Sequence, residues 1–298
     1  MGPIEGPRDC SRTGSRTTRS GAEPYIFAAF SERDINSLLQ KHGGQHMGVR
    51  EFKRRVNYFL NGDRSLPGFH SDNLRVVRKN IGFLDEPKFK KAWEFARDGN
   101  IKAWGKKRSV PDIRWRAHVC CWAARNALNL EGDFVEFGVN AGLLSATVCK
   151  YLDFQTLDRS FWLFDTFAGI PIEPLTGKAA IKAIKQNDGL YSDIYDIAVR
   201  NFSDFPNAKL IRGRLPETLD GTPIRKIAYL SVDLNVAQYE KECIERVWDR
   251  ITSGAPIILD DYAFADHEDQ YQMWNEFAAL RGQMILTLPT GQGLLIKP

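Results

Sequence analysis

The chain has 298 residues, 43% hydrophobic and 26% charged, with a formal net charge of +4 at pH 7. That suffices for one large domain or two small ones with a sizeable core, and Lys and Arg interleaved with Asp and Glu form no basic stripe for nucleic acid. No apolar run approaches the roughly 20 residues of a membrane span, no apolar signal core opens the chain, and the five cysteines lack metal spacing, so a cytoplasmic protein with reduced thiols is expected.

Residues 1–24 are rich in Gly, Ser, Thr, Pro and Arg. They cannot offset the entropy of ordering and are expected to form a flexible tail. Residues 25–111 follow a helical pattern. A helix opens at Ser31 with Ile35, Leu38 and Leu39 on one face, Val49–Leu60 repeats apolar residues at helical spacing, and Phe89, Trp93 and Ala96 share a face.

From residue 112 to 298 the pattern alternates. A helix (Trp115–Leu128) precedes a buried strand (Asp133–Gly138) and a helix (Leu143–Tyr151). The strand Ser160–Asp165 leads into a long loop holding Gly169, Pro171, Pro174 and Gly177, then a helix over Tyr191–Phe202. The strands Ala208–Gly213 and Ile227–Asp233, the helix Gln238–Ile251, the strand Pro256–Asp260 and the helix Asp266–Leu280 follow. Met284–Leu288 and Leu294–Lys297 close the chain around Thr290-Gly-Gln-Gly293. This order predicts an α/β fold, a doubly wound, mainly parallel sheet. The last two strands are joined too tightly for a parallel crossover and must form an antiparallel hairpin.

The chemistry sits at strand ends, where open α/β sheets bind ligands. Glu136-Phe-Gly138-Val-Asn-Ala-Gly142 is a strand-to-helix turn whose glycines let backbone approach a ligand. It lacks the G-x-G-x-x-G of a dinucleotide loop, which counts against a nicotinamide-dependent oxidoreductase. Its spacing suits S-adenosylmethionine, with Glu136 at the methionine end. Asp165 is placed to accept ribose hydroxyls, or else to cap the loop; Gly213 and its neighbours lie where an adenine edge would be read. Asp233, Asp260 and Asp261 cluster three carboxylates, which calls for a hard cation such as Mg²⁺ unless the pair Asp260 and Asp261 merely caps the next segment. His267 is the general-base candidate, with surface decoration as its alternative role. Tyr262, Trp115 and Arg116 are candidate pocket walls, with helix packing as the equal alternative for Trp115.

Together, Gly132-Asp-Phe-Val-Glu136-Phe-Gly138, Leu163-Phe-Asp165-Thr-Phe, Leu210-Ile-Arg-Gly213 with Pro216-Glu-Thr-Leu, and Ile258-Leu-Asp260-Asp261-Tyr262 resemble the macrocin O-methyltransferase family (TylF/NovP type), class I S-adenosylmethionine-dependent enzymes with a Rossmann-like sheet. The resemblance runs from about Arg114 to Pro298. It implies cofactor contacts at Gly138 and Asp165, Mg²⁺ at Asp233, Asp260 and Asp261, and a sugar or glycosylated small-molecule hydroxyl as acceptor. It leaves a homo-oligomer open and gives the N-terminal residues no role. One position departs from the family's Asp-x-Asp-x-Tyr-Glu: Asp233-Leu-Asn235 carries an amide, with Tyr239-Glu240 two residues further on. A neutral amide cannot act as a base, which leaves His267 or a carboxylate such as Asp233 as the catalytic proton acceptor, or a non-catalytic binding protein that keeps the fold.

Overall fold

The structure, a computed structural model, describes residues 68–104, 109–189 and 193–298. The expected tail over residues 1–24 and the helices expected from Ser31 and over Val49–Leu60 lie outside the described residues.

The described chain opens with an antiparallel pair, β1 (Gly68–Ser71) and β2 (Leu74–Val77). Asp72 and Asn73 both have positive φ, 54° and 55°, the backbone of a type I′ turn that Asp and Asn tolerate better than other side chains. These ten residues fall within the region expected to be helical, and the strand assignment corrects that expectation. Helix α1 (Pro87–Asn100) follows, capped by Glu86, whose carboxylate accepts from Lys88 N and Phe89 N, with Pro87 in the first turn. Its buried Phe89, Trp93 and Ala96 recur four and three apart and share one core with α2 (Arg114–Ala127) and α3 (Leu143–Leu152).

The central sheet has seven strands: β3 (Asp133–Phe137), β4 (Phe161–Asp165), β5 (Ala208–Arg212), β6 (Ile227–Val232), β7 (Pro256–Leu259), β8 (Leu286–Thr287) and β9 (Gly293–Ile296). Their order is β5-β4-β3-β6-β7-β9-β8, parallel except where β9 pairs antiparallel with β7 and β8. The mainly parallel sheet with its antiparallel C-terminal hairpin is the fold the sequence predicts. All residues of β6 and β7 are buried, as strands covered by helices on both faces must be. Phe134, Tyr229 and Ile258 face the core under α1, α2 and α3, while Val135, Leu230 and Ile257 face the opposite core. That second core is filled by α6 (Ala237–Val247) and α7 (Glu268–Ala279) through Cys243, Ile244, Val247, Trp274 and Phe277.

Two helices remain. α5 (Tyr195–Asn201) is shorter than the helix expected over Tyr191–Phe202, and α4 (Gly177–Gly189) lies inside the stretch expected to be loop. Pro171, Pro174 and Gly177 punctuate only the approach to α4. Beyond them Ala179, Ala180 and Ala183 pack on Leu175, Val236 and Tyr239, and that small apolar face holds the helix. The chain winds from β3 outward to β5, then returns to β6 on the other side of β3. The switch point of the sheet therefore lies between the carboxyl ends of β3 and β6.

Candidate active site

At that switch point Gly138 follows β3 with φ 82°. A Cβ placed there would lie 1.8 Å from the Asp233 carbonyl oxygen at the end of β6, so only glycine lets the two strand ends come this close. Asn140, also at positive φ, completes the turn. Asp165, at the end of β4, holds this loop: its Oδ2 accepts from Val139 N and Asn140 N, both at 2.7 Å, and its Oδ1 from Phe167 N at 2.6 Å. The Thr166 hydroxyl lies 3.4 Å from Oδ1 but has one proton and a shorter bond to Gly169 O at 2.5 Å; with about four acceptor positions on a carboxylate, the three backbone donors leave Asp165 room for one ligand hydroxyl. Both roles weighed for Asp165, loop anchor and ligand acceptor, are compatible with this arrangement.

Two cavities open from the turn. The first is walled by Gly138, Asp165, Phe167, Gly213, Leu215 and Tyr239. It brings Gly138, Asp165 and Gly213 together as the sequence predicts. The second is walled by Glu136, Arg116, Asp260, Asp261, His267 and Trp104, among others. Gly138, Asn140, Asp233 and Asn235 belong to both. Glu136 thus faces the second cavity, buried so deeply that its carboxyl is pushed well above the ordinary range. Gly142 lies in neither wall. Its φ of 85° starts α3, and a Cβ there would strike the Phe202 ring at 2.4 Å, so its contribution is to the turn itself.

The three carboxylates predicted as a cluster do converge: one oxygen from each of Asp233, Asp260 and Asp261 can be chosen so that all lie within 4.8 Å of one another. Asp260 is neutralised locally, accepting from Arg116 Nη1 at 2.5 Å and from Gln292 Nε2 at 3.0 Å. Asp233 and Asp261 are not matched in this way. Burial first, then repulsion between the acids, pushes the Asp233 carboxyl well above its ordinary range and raises Asp261 as well. Three hard oxygen donors, two of which are costly to ionise together without a cation, are the donor set a Mg²⁺-like ion requires, so the residues fit such an ion.

Asn235, at φ 60°, donates through Nδ2 to Asp233 Oδ1 and accepts from Gln186 Nε2 of α4. His267 lies 3.7 Å from Asp261 Oδ2 through Nδ1, and the same nitrogen is 2.6 Å from Gln270 Oε1. The Gln270 amide is oriented by its Nε2, which donates to Glu240 Oε1 at 2.8 Å. An amide oxygen can only accept, so His267 carries its proton on Nδ1 and leaves Nε2 as the basic nitrogen. His267 is therefore part of the cavity wall, not surface decoration.

Glu240 anchors this network, also accepting from Trp274 Nε1 at 2.6 Å and Leu234 N at 3.3 Å. Burial nevertheless outweighs these donors and pushes its carboxyl up to about 7. The native state then keeps a proton that the unfolded chain releases near its ordinary value of 4.5. The resulting stability is complete below that value and is lost as pH rises through about 7. Urea unfolding should show wild-type protein losing more stability between about pH 5 and about pH 8 than Glu240→Gln, which cannot titrate; equal losses would mean Glu240 is ionised throughout.

Sequence reasoning missed Gln292, whose amide reaches Asp260 from between two glycines of the C-terminal turn, and Asp72, which pairs with Arg116. It offered Tyr262 as a pocket wall and Trp115 as either pocket wall or helix packing. The structure instead buries Tyr262 against Gly293 with its hydroxyl donating to Asn275 Oδ1, and for Trp115 it shows the packing role, on Phe69 and Phe83. Arg116 does line the second cavity.

A family model described as macrocin-O-methyltransferase (TylF) matches residues 114–285, more than half of the chain. The chain belongs to the macrocin O-methyltransferase family. Among its curated relatives is demethyldecarbamoylnovobiocin O-methyltransferase of Streptomyces niveus, 26% identical over 157 residues, covering 48% of this chain and 59% of that protein. Another is 8-demethyl-8-(2,3-dimethoxy-alpha-L-rhamnosyl)-tetracenomycin-C 4'-O-methyltransferase of Streptomyces olivaceus, 24% identical over 139 residues, 44% of this chain and 53% of that protein. The chain thus spans little more than half the length of these relatives. The solved O-methyltransferase NovP shares the fold, with a TM-score of 0.58 at 18% identity, over 70% of this chain and 97% of that one. The family match begins at Arg114, so β1, β2 and α1 precede it, as do Asp72 and Trp104.

Proposed function

We propose that this macrocin O-methyltransferase family member is an S-adenosylmethionine-dependent O-methyltransferase acting on a hydroxyl of a sugar or glycosylated small molecule, with Mg²⁺ held by Asp233, Asp260 and Asp261. One observation carries the reading: a glycine-cradled pocket with an acid at its far strand end shares Gly138, Asn140, Asp233 and Asn235 with a carboxylate-lined cavity. A cofactor in the first and an acceptor in the second would meet at those residues. The Streptomyces olivaceus relative is named for 4'-O-methylation of a rhamnosyl tetracenomycin, and the sugar-bearing acceptor is proposed on that likeness.

When bound, S-adenosylmethionine supplies an electrophilic sulfonium methyl group, and Mg²⁺ lowers the pKa of a hydroxyl it contacts. The chain's own residues do the positioning. Gly138 and Gly213 admit the cofactor, Asp165 accepts from a ribose hydroxyl while keeping the loop in place, and the methionine end would reach Glu136, in the second cavity's wall, only by extending across the shared residues. Asp233 stands at the junction of the two cavities and orients the acceptor from its partner acids' side. His267 Nε2 takes the acceptor's proton, a role Asn235 cannot fill. Fixing acceptor and donor in one geometry supplies much of the acceleration.

His267→Gln is expected to lower kcat by about 10²–10⁴-fold while leaving S-adenosylhomocysteine binding unchanged, as measured by steady-state kinetics and calorimetry. A kcat within a few-fold of wild type would assign the proton to a carboxylate instead. Asn235 also favours a second reading, a methyltransferase-fold binding protein without turnover. Tight S-adenosylhomocysteine binding with no methyl transfer across a panel of glycosylated acceptors would select it.

A further inference from the structure

Arg116 sits in the first turn of α2 with its guanidinium in the middle of an acidic group. Its Nε and Nη2 fork onto Asp72 at 2.8 and 2.9 Å, Nη1 reaches Asp260 at 2.5 Å, and Asp261 Oδ1 is 3.8 Å away. The guanidinium also lies 5.0 Å over the Phe264 ring. Side-chain exposure is 14% for Arg116, 13% for Asp72 and 3% for Asp260. Buried ionic groups of this kind contribute little net stability relative to apolar packing, so their placement calls for another reason.

Asp72 supplies it. As a turn residue of the hairpin, it already balances the Arg116 charge through the bidentate fork. Arg116 can then hold Asp260 without cancelling the field of Asp233 and Asp261 that draws a cation. Asp260 is pinned at both oxygens, by Arg116 on one side and Gln292 on the other. The hairpin that delivers Asp72 is itself fastened to α2, with Phe69 buried against Trp115, the neighbour of Arg116.

We propose that Arg116 and Asp72 are positioning residues of the cation site. They hold Asp260 in the orientation that the ion meets, and they make the Gly68–Val77 hairpin, which precedes the family-matched segment, part of that site. This rests on the cation reading above and extends it to Asp72, which lies in neither cavity wall, and to Arg116, which acts on the ion through Asp260.

The test is Mn²⁺ titration of the full chain, following free Mn²⁺ by electron paramagnetic resonance, with no turnover involved. Asp72→Asn keeps the shape, and Asn suits the positive φ of 54°, so folding should persist; S-adenosylhomocysteine calorimetry checks it. The variant is expected to weaken Mn²⁺ binding by about 10-fold or more, in the range of other outer-shell changes, because Arg116 loses its fork and its charge becomes unbalanced. Arg116→Lys, which keeps the charge but not the planar fork, is expected to weaken it similarly. Wild-type protein that binds Mn²⁺ with both variants equal to it, or tighter, overturns this inference alone. Wild-type protein that binds no Mn²⁺ overturns the cation reading and this inference with it.

Discussion

Asp261→Ala is expected to abolish cation-dependent methyl transfer, lowering turnover by more than about 100-fold, with S-adenosylhomocysteine affinity nearly unchanged. Asp261 is a wall of the carboxylate cavity and not of the glycine-cradled one, so its loss should spare the nucleoside. The His267 ring at 3.7 Å and the Arg116 guanidinium at 3.8 Å are both too far from it for the hydrogen bonds that would make it structural. Burial and the neighbouring Asp260 both disfavour its charged form. The metal-free variant should therefore be at least as stable as wild type at neutral pH, the trade expected of a residue kept for function. Kinetics with and without EDTA, beside urea unfolding, reads both effects. Unchanged activity in the variant would remove Asp261 from the cation site.

Gly138→Ala is expected to have the largest effect on the fold. The added Cβ would lie 1.8 Å from the carbonyl oxygen of Asp233 and 2.6 Å from its carbon. Both are backbone atoms, so no side-chain rotation relieves the clash. Asp233 N is at the same time bonded to Phe137 O at 2.7 Å, which ties the two strand ends together. Either β3 and β6 part at the switch point, or the loop abandons its φ of 82°. A loss of about 3–5 kcal/mol is expected, with S-adenosylhomocysteine binding lost, measurable by denaturant unfolding and calorimetry. Gly177→Ala provides the contrast. Its φ is also positive, at 56°, but nothing lies within 4 Å of the added Cβ, so only the backbone strain of about 1 kcal/mol is expected. Comparable losses in the two variants would contradict the close approach at Gly138.

These two positions also mark what is legible in a single sequence. Gly138, Asp233, Asp260 and Asp261 each end a continuous apolar strand, so local pattern locates them and the order of strands and helices brings them to one edge. The sheet and its C-terminal hairpin follow from the same local signals. Contacts made across the chain are another matter. Arg116 and Asp260 are 144 residues apart and Gln292 and Asp260 are 32 apart, and no periodicity joins them. The hairpin was hidden because two four-residue strands are too short to show alternation against a helical background. α4 was hidden by the prolines in front of it, although Ala179, Ala180 and Ala183 carried its apolar face. Tyr262 follows the acidic pair directly, but the turn that follows β7 carries its ring into the core.

The central claim is that one edge of the sheet holds a nucleoside cofactor and a divalent ion in adjoining cavities. The most direct measurement is calorimetric titration of the full chain with S-adenosylhomocysteine, first without and then with Mg²⁺, followed by titration of Mg²⁺ into the nucleoside-bound protein. The account predicts one nucleoside bound per chain in both conditions and a separate Mg²⁺ binding step. Absence of nucleoside binding, or Mg²⁺ and nucleoside displacing one another, would contradict it.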